Sequence, residues 1–244
     1  MLLAQQYVRR LKELIDKIER TQVEKIDEAA KIIAQRVSEG AVVHIFDNGH
    51  LLSNEAVERA GGLMLMIPLK FTVTVNNPAR DRGDSSTAQS EEVLVKYIVD
   101  KSQLQNGDVL IINSVSGINV RPVELALEAK RRGVYLITIT SLAYSKVHNS
   151  LHSSGRRLFE VADLVIDNCG EEGDALLEVE GMEPKICPSS GVTAAIIIWM
   201  LTAQIIVHLL ELRIIPSVYK SMGLGDDALT FNNQQLERYK EEGY

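Results

Sequence analysis

The stretch Asp108–Ser141, DVLIINSVSGINVRPVELALEAKRRGVYLITITS, reads as strand, loop, helix, strand. Val109 to Ile112 is a short apolar run rich in β-branched residues, which suits a strand buried on both faces. Pro122 falls in the first turn of the helix, where a missing N–H costs little. The helix carries its apolar side chains at Val123, Leu125, Ala126, Leu127 and Ala129. It stops at Lys130, Arg131, Arg132 and Gly133: cations at the negative end of the dipole, then a residue that accepts a left-handed cap. Tyr135 to Thr140 is the next buried strand. A unit of this length is a right-handed βαβ crossover with parallel strands.

The loop Asn113–Asn119 joins the C-terminal end of a parallel strand to a helix N-terminus. Free amides and the positive end of the helix dipole meet there and favour an anion. Ser114, Ser116 and Asn119 add side-chain donors, and Gly117 permits close backbone approach. The loop holds no lysine and no G-x-x-x-x-G-K-[ST] pattern, which disfavours a nucleotide-hydrolysing P-loop. Two readings stand: a neutral, hydroxyl-lined phosphate pocket, or an ordinary turn with capping serines.

The chain has 244 residues, a 45% apolar fraction and a net charge of −7, which fits one α/β domain with extensions. No basic stripe with interleaved aromatics points to nucleic acid. Cys169 and Cys187 have no metal-ligand spacing, and no metal or cofactor is expected. The charged, helical N-terminus has no signal-peptide pattern, and a cytoplasmic location is expected. Gly191–Leu210, GVTAAIIIWMLTAQIIVHLL, is long enough to span a bilayer. Thr193, Thr202, Gln204 and His208 interrupt it, and no flanking cluster of cations sets a topology. A helix buried between sheet and partner subunit is favoured over a membrane span.

Outward from the central unit, residues 3–38 predict two amphipathic helices broken near Thr21-Gln22, with Thr21 and Glu24 as a capping box. Ala41–Phe46 is the first strand. The turn Asp47-Asn48-Gly49-His50 and a helix from about Leu51 to Ala60 follow. Ser53, Glu55 and Glu58 lie on or near that helix's early turns, where carboxylates complement the dipole; a functional reading makes Glu55 or His50 an acid or base. Leu63–Leu69 is a second strand. Asn76–Ser86 reads as a long loop, a candidate lid, and Thr87–Lys101 as a helix. The segment after Ser141 is a long polar connection containing His152, either a site residue or a solvated one. Asp163–Asp167 is the fifth strand, and Leu176, Leu177 and Val179 suit a short extra one. Ser189 and Ser190 open the apolar helix as caps or as ligand contacts. A final helix is predicted over about Phe231–Tyr239.

The expected fold is therefore α/β: a five-stranded, parallel, doubly wound sheet in flavodoxin-like order 2-1-3-4-5. A helical extension (1–38) precedes the domain (39–215), and a tail (216–244) packs on the domain or on a partner subunit. In this order the ligand crevice lies between strands one and three, beyond their C-terminal ends.

The pieces EAVERAGGL (Glu55–Leu63), NGDVLIINSVSG (Asn106–Gly117), PVELALEAKRRG (Pro122–Gly133), ITSLAYSK (Ile139–Lys146), HSSGRRLFEVADLVIDN (His152–Asn168) and GDALLEVEG (Gly173–Gly181) together resemble the sugar-isomerase (SIS) domain family. The closest likeness is to bacterial single-domain members of the phosphosugar-binding, phosphoheptose-isomerase-like group. The resemblance implies a sugar-phosphate ligand and a homodimer or homotetramer with sites near subunit boundaries. It also implies isomerase or lyase chemistry without a metal, with a non-catalytic phosphosugar sensor as the alternative. By resemblance Ser114, Ser116, Gly117 and Asn119 hold the phosphate. Asn48, Gly49, Ser53, Ser141, Ser189 and Ser190 contact the substrate. The place of Glu55 just after the first loop makes it the expected residue to move a proton at carbon, with His50 or His152 expected to assist at oxygen. Asn119 stands where threonine is usual. Leu51 follows Gly49-His50 where serine is usual, which removes a hydroxyl and favours the sensor.

Overall fold

The computed structural model describes residues 1–49, 52–74 and 88–244, without the side chains of Ser53, Ala88, Leu224 and Asp226. Helix α1 (Leu3–Ser38) leads into β1 (Val43–Asp47), α2 (Leu52–Ala56), β2 (Met66–Pro68), α3 (Ala88–Lys101), β3 (Val109–Asn113), α4 (Val120–Arg131) and β4 (Tyr135–Thr140). Short helices α5 (Leu142–Ser145) and α6 (Leu158–Val161) precede β5 (Leu164–Asp167). A hairpin of β6 (Ala175–Leu177) and β7 (Ile186–Pro188) precedes α7 (Ser190–Glu211) and α8 (Asp226–Glu242).

Five strands form one sheet in the order β2-β1-β3-β4-β5, every pair parallel, as expected. Side chains alternate across it. Val109 and Ile111 of β3 join one apolar cluster with α1, α2 and α7, whereas Leu110 and Ile112 join another with α3, α4 and α6. A strand serving two helical layers has no polar face, which explains the unbroken run VLII. The helix after β1 and the helix after β3 thus leave to opposite faces. At the opposite, N-terminal end, Asp108 accepts the amides of Val42 and Gln105, both at 2.9 Å.

Residues 3–38 form one continuous helix, which corrects the break expected near Thr21-Gln22. The Thr21 hydroxyl donates to the Lys17 carbonyl one turn back (2.7 Å) and caps nothing. Gln22 is buried and its Oε1 accepts the Asp167 amide at 3.0 Å, so a polar residue in mid-helix serves the end of β5. Helix α7 runs along α1, with Gln204 and His208 meeting Asp27 and with Thr193, Ile197, Leu201 and Ile205 buried. It is the single described helix apolar and long enough for a membrane span, and its apolar side serves this packing.

Three boundaries differ from expectation. β2 covers only Met66–Pro68, because the preceding residues pair with the tail: Leu63 bridges Val218, and Met64 N–H donates to the Ser217 carbonyl. α2 ends at Ala56, ahead of Glu58 with φ +56°. α8 starts at Asp226, earlier than the apolar pattern indicates, and Tyr239 and Tyr244 pack on the larger core cluster. The tail therefore returns onto the body of the same chain. The candidate lid Asn76–Ser86 lies outside the described residues.

Candidate functional site

Asp47 ends β1 and stands directly beside Asn113, the last residue of β3. Its carboxylate accepts the Gly49 amide (2.9 Å), the Leu52 amide (2.8 Å) and the Asn113 side-chain amide (2.8 Å). The Asn48 amide donates to the Asn113 carbonyl at 3.0 Å. One carboxylate thus shapes the first turn, caps α2 and locks both turns together at the switch point. With its Nδ2 committed to Asp47, the buried Asn113 has an Oδ1 with no partner.

A cavity of about 570 Å³ opens at this point, with Gly49, Leu52, Asn113, Val115, Cys187 and Ser190 among its walls. It lies beyond the C-terminal ends of β1 and β3, where the strand order places it. Its far wall is the β7–α7 junction, which Asp174 builds. Asp174 Oδ1 accepts the amides of Ser189 (3.1 Å) and Ser190 (2.8 Å), and its Oδ2 accepts the Ser190 hydroxyl (2.6 Å). The start of α7 is therefore capped by a residue from another segment, and Ser189 makes no side-chain cap of its own.

The loop after β3 runs beside the cavity. Ser114 is buried and its hydroxyl has no partner, while Ser116 is half-buried. Among the described residues no protein acceptor meets the amides of Val115, Ser116, Gly117 or Ile118. Asn119 is exposed and occupies the N-cap position of the 12-residue α4 without a side-chain cap bond. The start of α4 therefore has no side-chain cap on its first amides, at the positive end of the helix dipole. Gly117 (φ +62°) is buried, and its missing side chain faces inward. A Cβ there would lie 3.0 Å from Thr140 Oγ1 and 3.1 Å from Ser145 Oγ. Close packing of the loop on β4 and α5 is what calls for glycine.

Of the other sequence-selected residues, Ser190 lines the crevice and the rest lie apart or are committed to protein partners. Ser141 is fully buried and committed: its hydroxyl donates to the Gly170 carbonyl (2.7 Å) and accepts the Tyr144 amide. Ser189 and Ser190 are engaged by Asp174. Glu55 lines a second cavity of about 440 Å³ with Trp199, Tyr219 and Lys220. There it accepts from the Trp199 indole at 3.3 Å, with the Arg59 guanidinium 3.6 Å away. His50 and the Ser53 side chain lie outside the described residues.

His152 is buried and is no solvated loop residue. Its Nε2 lies 2.6 Å from Glu124 Oε2, and its Nδ1 meets the amide and hydroxyl of Ser154 at 3.0 and 2.8 Å. Glu92 approaches the same ring, with Oε1 3.6 Å from Nε2. Ser153 holds Glu92 through its amide and hydroxyl, both at 2.9 Å. Burial pushes the Glu92 carboxyl up, but the two Ser153 hydrogen bonds and the nearby His152 and Lys96 bring it below its ordinary range. Sequence reasoning missed Asp47, Asp174, Glu92 and Glu124. Each acts across a gap in the chain that no local spacing reveals.

The five-stranded parallel sheet in the order β2-β1-β3-β4-β5, with helices on both faces, is the arrangement of a SIS domain. The SIS domain family model matches residues 6–141, and the chain belongs to that family. It is 39% identical over 239 residues to UPF0309 protein TTE0306 of Caldanaerobacter subterraneus subsp. tengcongensis, with 96% of each chain covered. It is 34% identical over 241 residues to UPF0309 protein ABC0887 of Shouchella clausii, covering 96% of this chain and 97% of that one. A phosphoheptose isomerase from Francisella tularensis shares the fold (TM-score 0.52, 14% identity, 83% of this chain and 95% of that one). So does phosphoheptose isomerase GmhA from Neisseria gonorrhoeae (TM-score 0.51, 15% identity, 84% and 96%).

Proposed function

We propose that this chain binds a sugar phosphate, with the phosphate on the Ser114–Asn119 loop and the sugar in the crevice between β1 and β3. The observation that carries this reading is the run of four loop amides, Val115 to Ile118, that meet no protein acceptor among the described residues, beside the cavity wall formed by Asn113 and Val115. Backbone amides left without an acceptor favour a charged partner such as a phosphate oxygen. No lysine is needed, because hydrogen bonds to a charged acceptor are about twice as strong as neutral ones. The isomerases named above are relatives in fold, and their substrate class agrees with this site.

On the catalytic version of this reading, sugar-phosphate isomerisation or a lyase reaction, Glu55 moves the proton beside the carbonyl and His50 assists, since His152 is buried against Glu124 away from the crevice. Glu55 lines a different cavity from the crevice within one protomer, so this version requires sites shared between copies in a homodimer or homotetramer. The second reading is a non-catalytic phosphosugar sensor. One observation favours it: Asp47 and Asp174, the carboxylates at the crevice, are tied up by three and four hydrogen bonds. Neither can take a proton from a substrate carbon without dismantling a turn.

A calorimetric and turnover panel of aldose, ketose and amino-sugar phosphates, run on wild type and Glu55→Gln, decides between them. Binding with turnover that Glu55→Gln abolishes establishes the enzyme. Binding without turnover across the panel establishes the sensor. Absence of binding to every sugar phosphate overturns the proposal.

A further inference from the structure

Outside the crevice, one group of potential metal ligands stands together among the described residues: Glu92 of α3, Glu124 of α4 and His152 of the connection between α5 and α6. Each offers one donor atom, and the three atoms lie within 4.8 Å of one another. Glu124 is 2% exposed, and His152 is 6% exposed. We propose that these three side chains form a binding site for one divalent transition cation, Zn²⁺ or Mn²⁺.

The donor set is the first argument. Two carboxylates and one imidazole from three segments suit a borderline or moderately hard divalent ion. They do not suit a sheltered site left without one. Glu92 and Glu124 bring two negative charges. Among the described residues the cation paired with Glu124 is Lys96, half-exposed, with Nζ 3.8 Å from Glu124 Oε1 and also 3.8 Å from Glu128 Oε1. One shared, solvated ammonium compensates two sheltered carboxylates poorly.

The second argument is independent of the clustering. Glu124 Oε1 is buried without a hydrogen-bond partner, although its sister oxygen meets His152. A buried carboxylate oxygen without a donor is among the costlier defects of a folded chain, and a metal ion removes it.

The third is the orientation of the imidazole. The Ser154 amide and hydroxyl hold Nδ1 at 3.0 and 2.8 Å, which leaves Nε2 facing Glu124 and Glu92. An outer partner that fixes the ring in this way is what metal-ligating histidines generally have. Ser153 orients Glu92 by the same logic. Ligand atoms on one ion lie roughly 3 Å apart at metal–ligand distances of about 2.0–2.2 Å. The 2.6 Å contact between His152 and Glu124 therefore opens slightly as the ion enters.

The ion would tie together α3, α4 and the loop whose Leu151 amide donates to the Ile118 carbonyl at 2.9 Å, beside the proposed phosphate loop. The test is direct and does not depend on sugar binding. Chelator-stripped protein is titrated with ZnCl₂ and MnCl₂ by calorimetry, its melting temperature is followed, and Co²⁺ loading is read by visible absorption. The expected result is one equivalent bound, a rise in melting temperature, and a Co²⁺ spectrum. Glu92→Gln, on the more open side of the site, should weaken binding at least about tenfold while circular dichroism stays unchanged. Ser154→Ala should weaken it about 10–100-fold. No saturable binding of Zn²⁺, Mn²⁺ or Co²⁺, or binding unaltered in a folded Glu92→Gln variant, would overturn the proposal.

Discussion

The side-chain amide of Asn113 donates to the carboxylate of Asp47 at 2.8 Å, across the two strands whose helices depart to opposite faces. This bond joins the strand that precedes the proposed phosphate loop to the turn that forms the other lip of the crevice. Asp47→Ala leaves the amides of Gly49 and Leu52 and the Asn113 side chain without their acceptor. The expected cost is about 2–4 kcal/mol, the sum of one lost cap and one buried unsatisfied donor. Urea denaturation measures it. Asp47→Asn keeps one acceptor oxygen and should lose less.

Gly117 and Gly155 both have φ in the left-handed region, at +62° and +69°. They differ in surroundings: a Cβ at Gly117 meets Thr140 Oγ1 at 3.0 Å, whereas one at Gly155 meets nothing within 4 Å. Gly155→Ala should cost about 1 kcal/mol, from backbone strain alone. Gly117→Ala should cost several kcal/mol, because overpacking adds to that strain. Equal melting temperatures for the two variants would show that the loop has room to shift off β4.

Asp174 holds the first turn of α7 in place of the local serines. Asp174→Ala should therefore destabilise by about 1–2 kcal/mol, whereas Ser189→Ala should cost less, since Ser189 provides no cap to its own helix. The comparison is made by thermal denaturation of the two variants side by side.

The packing of α7 on α1 carries a pH dependence of definite sign. Burial pulls the His208 ring down, but hydrogen bonds to Glu211 and Asp27 outweigh it, and its pKa lies above the ordinary 6.5. The His208 hydrogen bond, then that of Gln204, hold Asp27 below its ordinary 3.8. A raised histidine stabilises fully below its unfolded value, and this contribution fades as pH rises through the folded value. A depressed carboxylate stabilises above its unfolded value and fades in acid. Both contributions are present between about pH 3.8 and 6.5. Melting-temperature profiles should show His208→Gln most deficient in that window and converging on wild type at alkaline pH. A deficit that grows with pH would contradict the assignment.

Much of the sheet was legible because its strands are apolar on both faces and its helices are amphipathic. VLIIN and the helix from Val120 to Arg131 carry their environments in their own periodicity. α1 was misread at Thr21-Gln22 because a polar pair looks like a helix start until β5 is seen to supply its partner. The crevice was legible as a place, since strand order fixes it. Its construction was not. Asp47 looks like an ordinary strand end and Asp174 like part of an acidic loop, and only the fold brings their partners to them. Ser141 shows the converse: a serine after a parallel strand resembles a ligand contact, yet its hydroxyl is spent on the Gly170 carbonyl. The environment of His152 was equally hidden, because Glu92 and Glu124 reach it from two helices distant in sequence.

The central claim is that hydroxyls and main-chain amides of the Ser114–Asn119 loop hold a phosphate. Calorimetric titration of a sugar phosphate into wild type and Ser114→Ala/Ser116→Ala tests it most directly, with the unphosphorylated sugar as reference. Losing two hydrogen bonds to a charged acceptor should raise Kd at least about tenfold, while any affinity for the unphosphorylated sugar stays unchanged. An unaltered Kd in a correctly folded double variant would place the phosphate elsewhere and contradict the account.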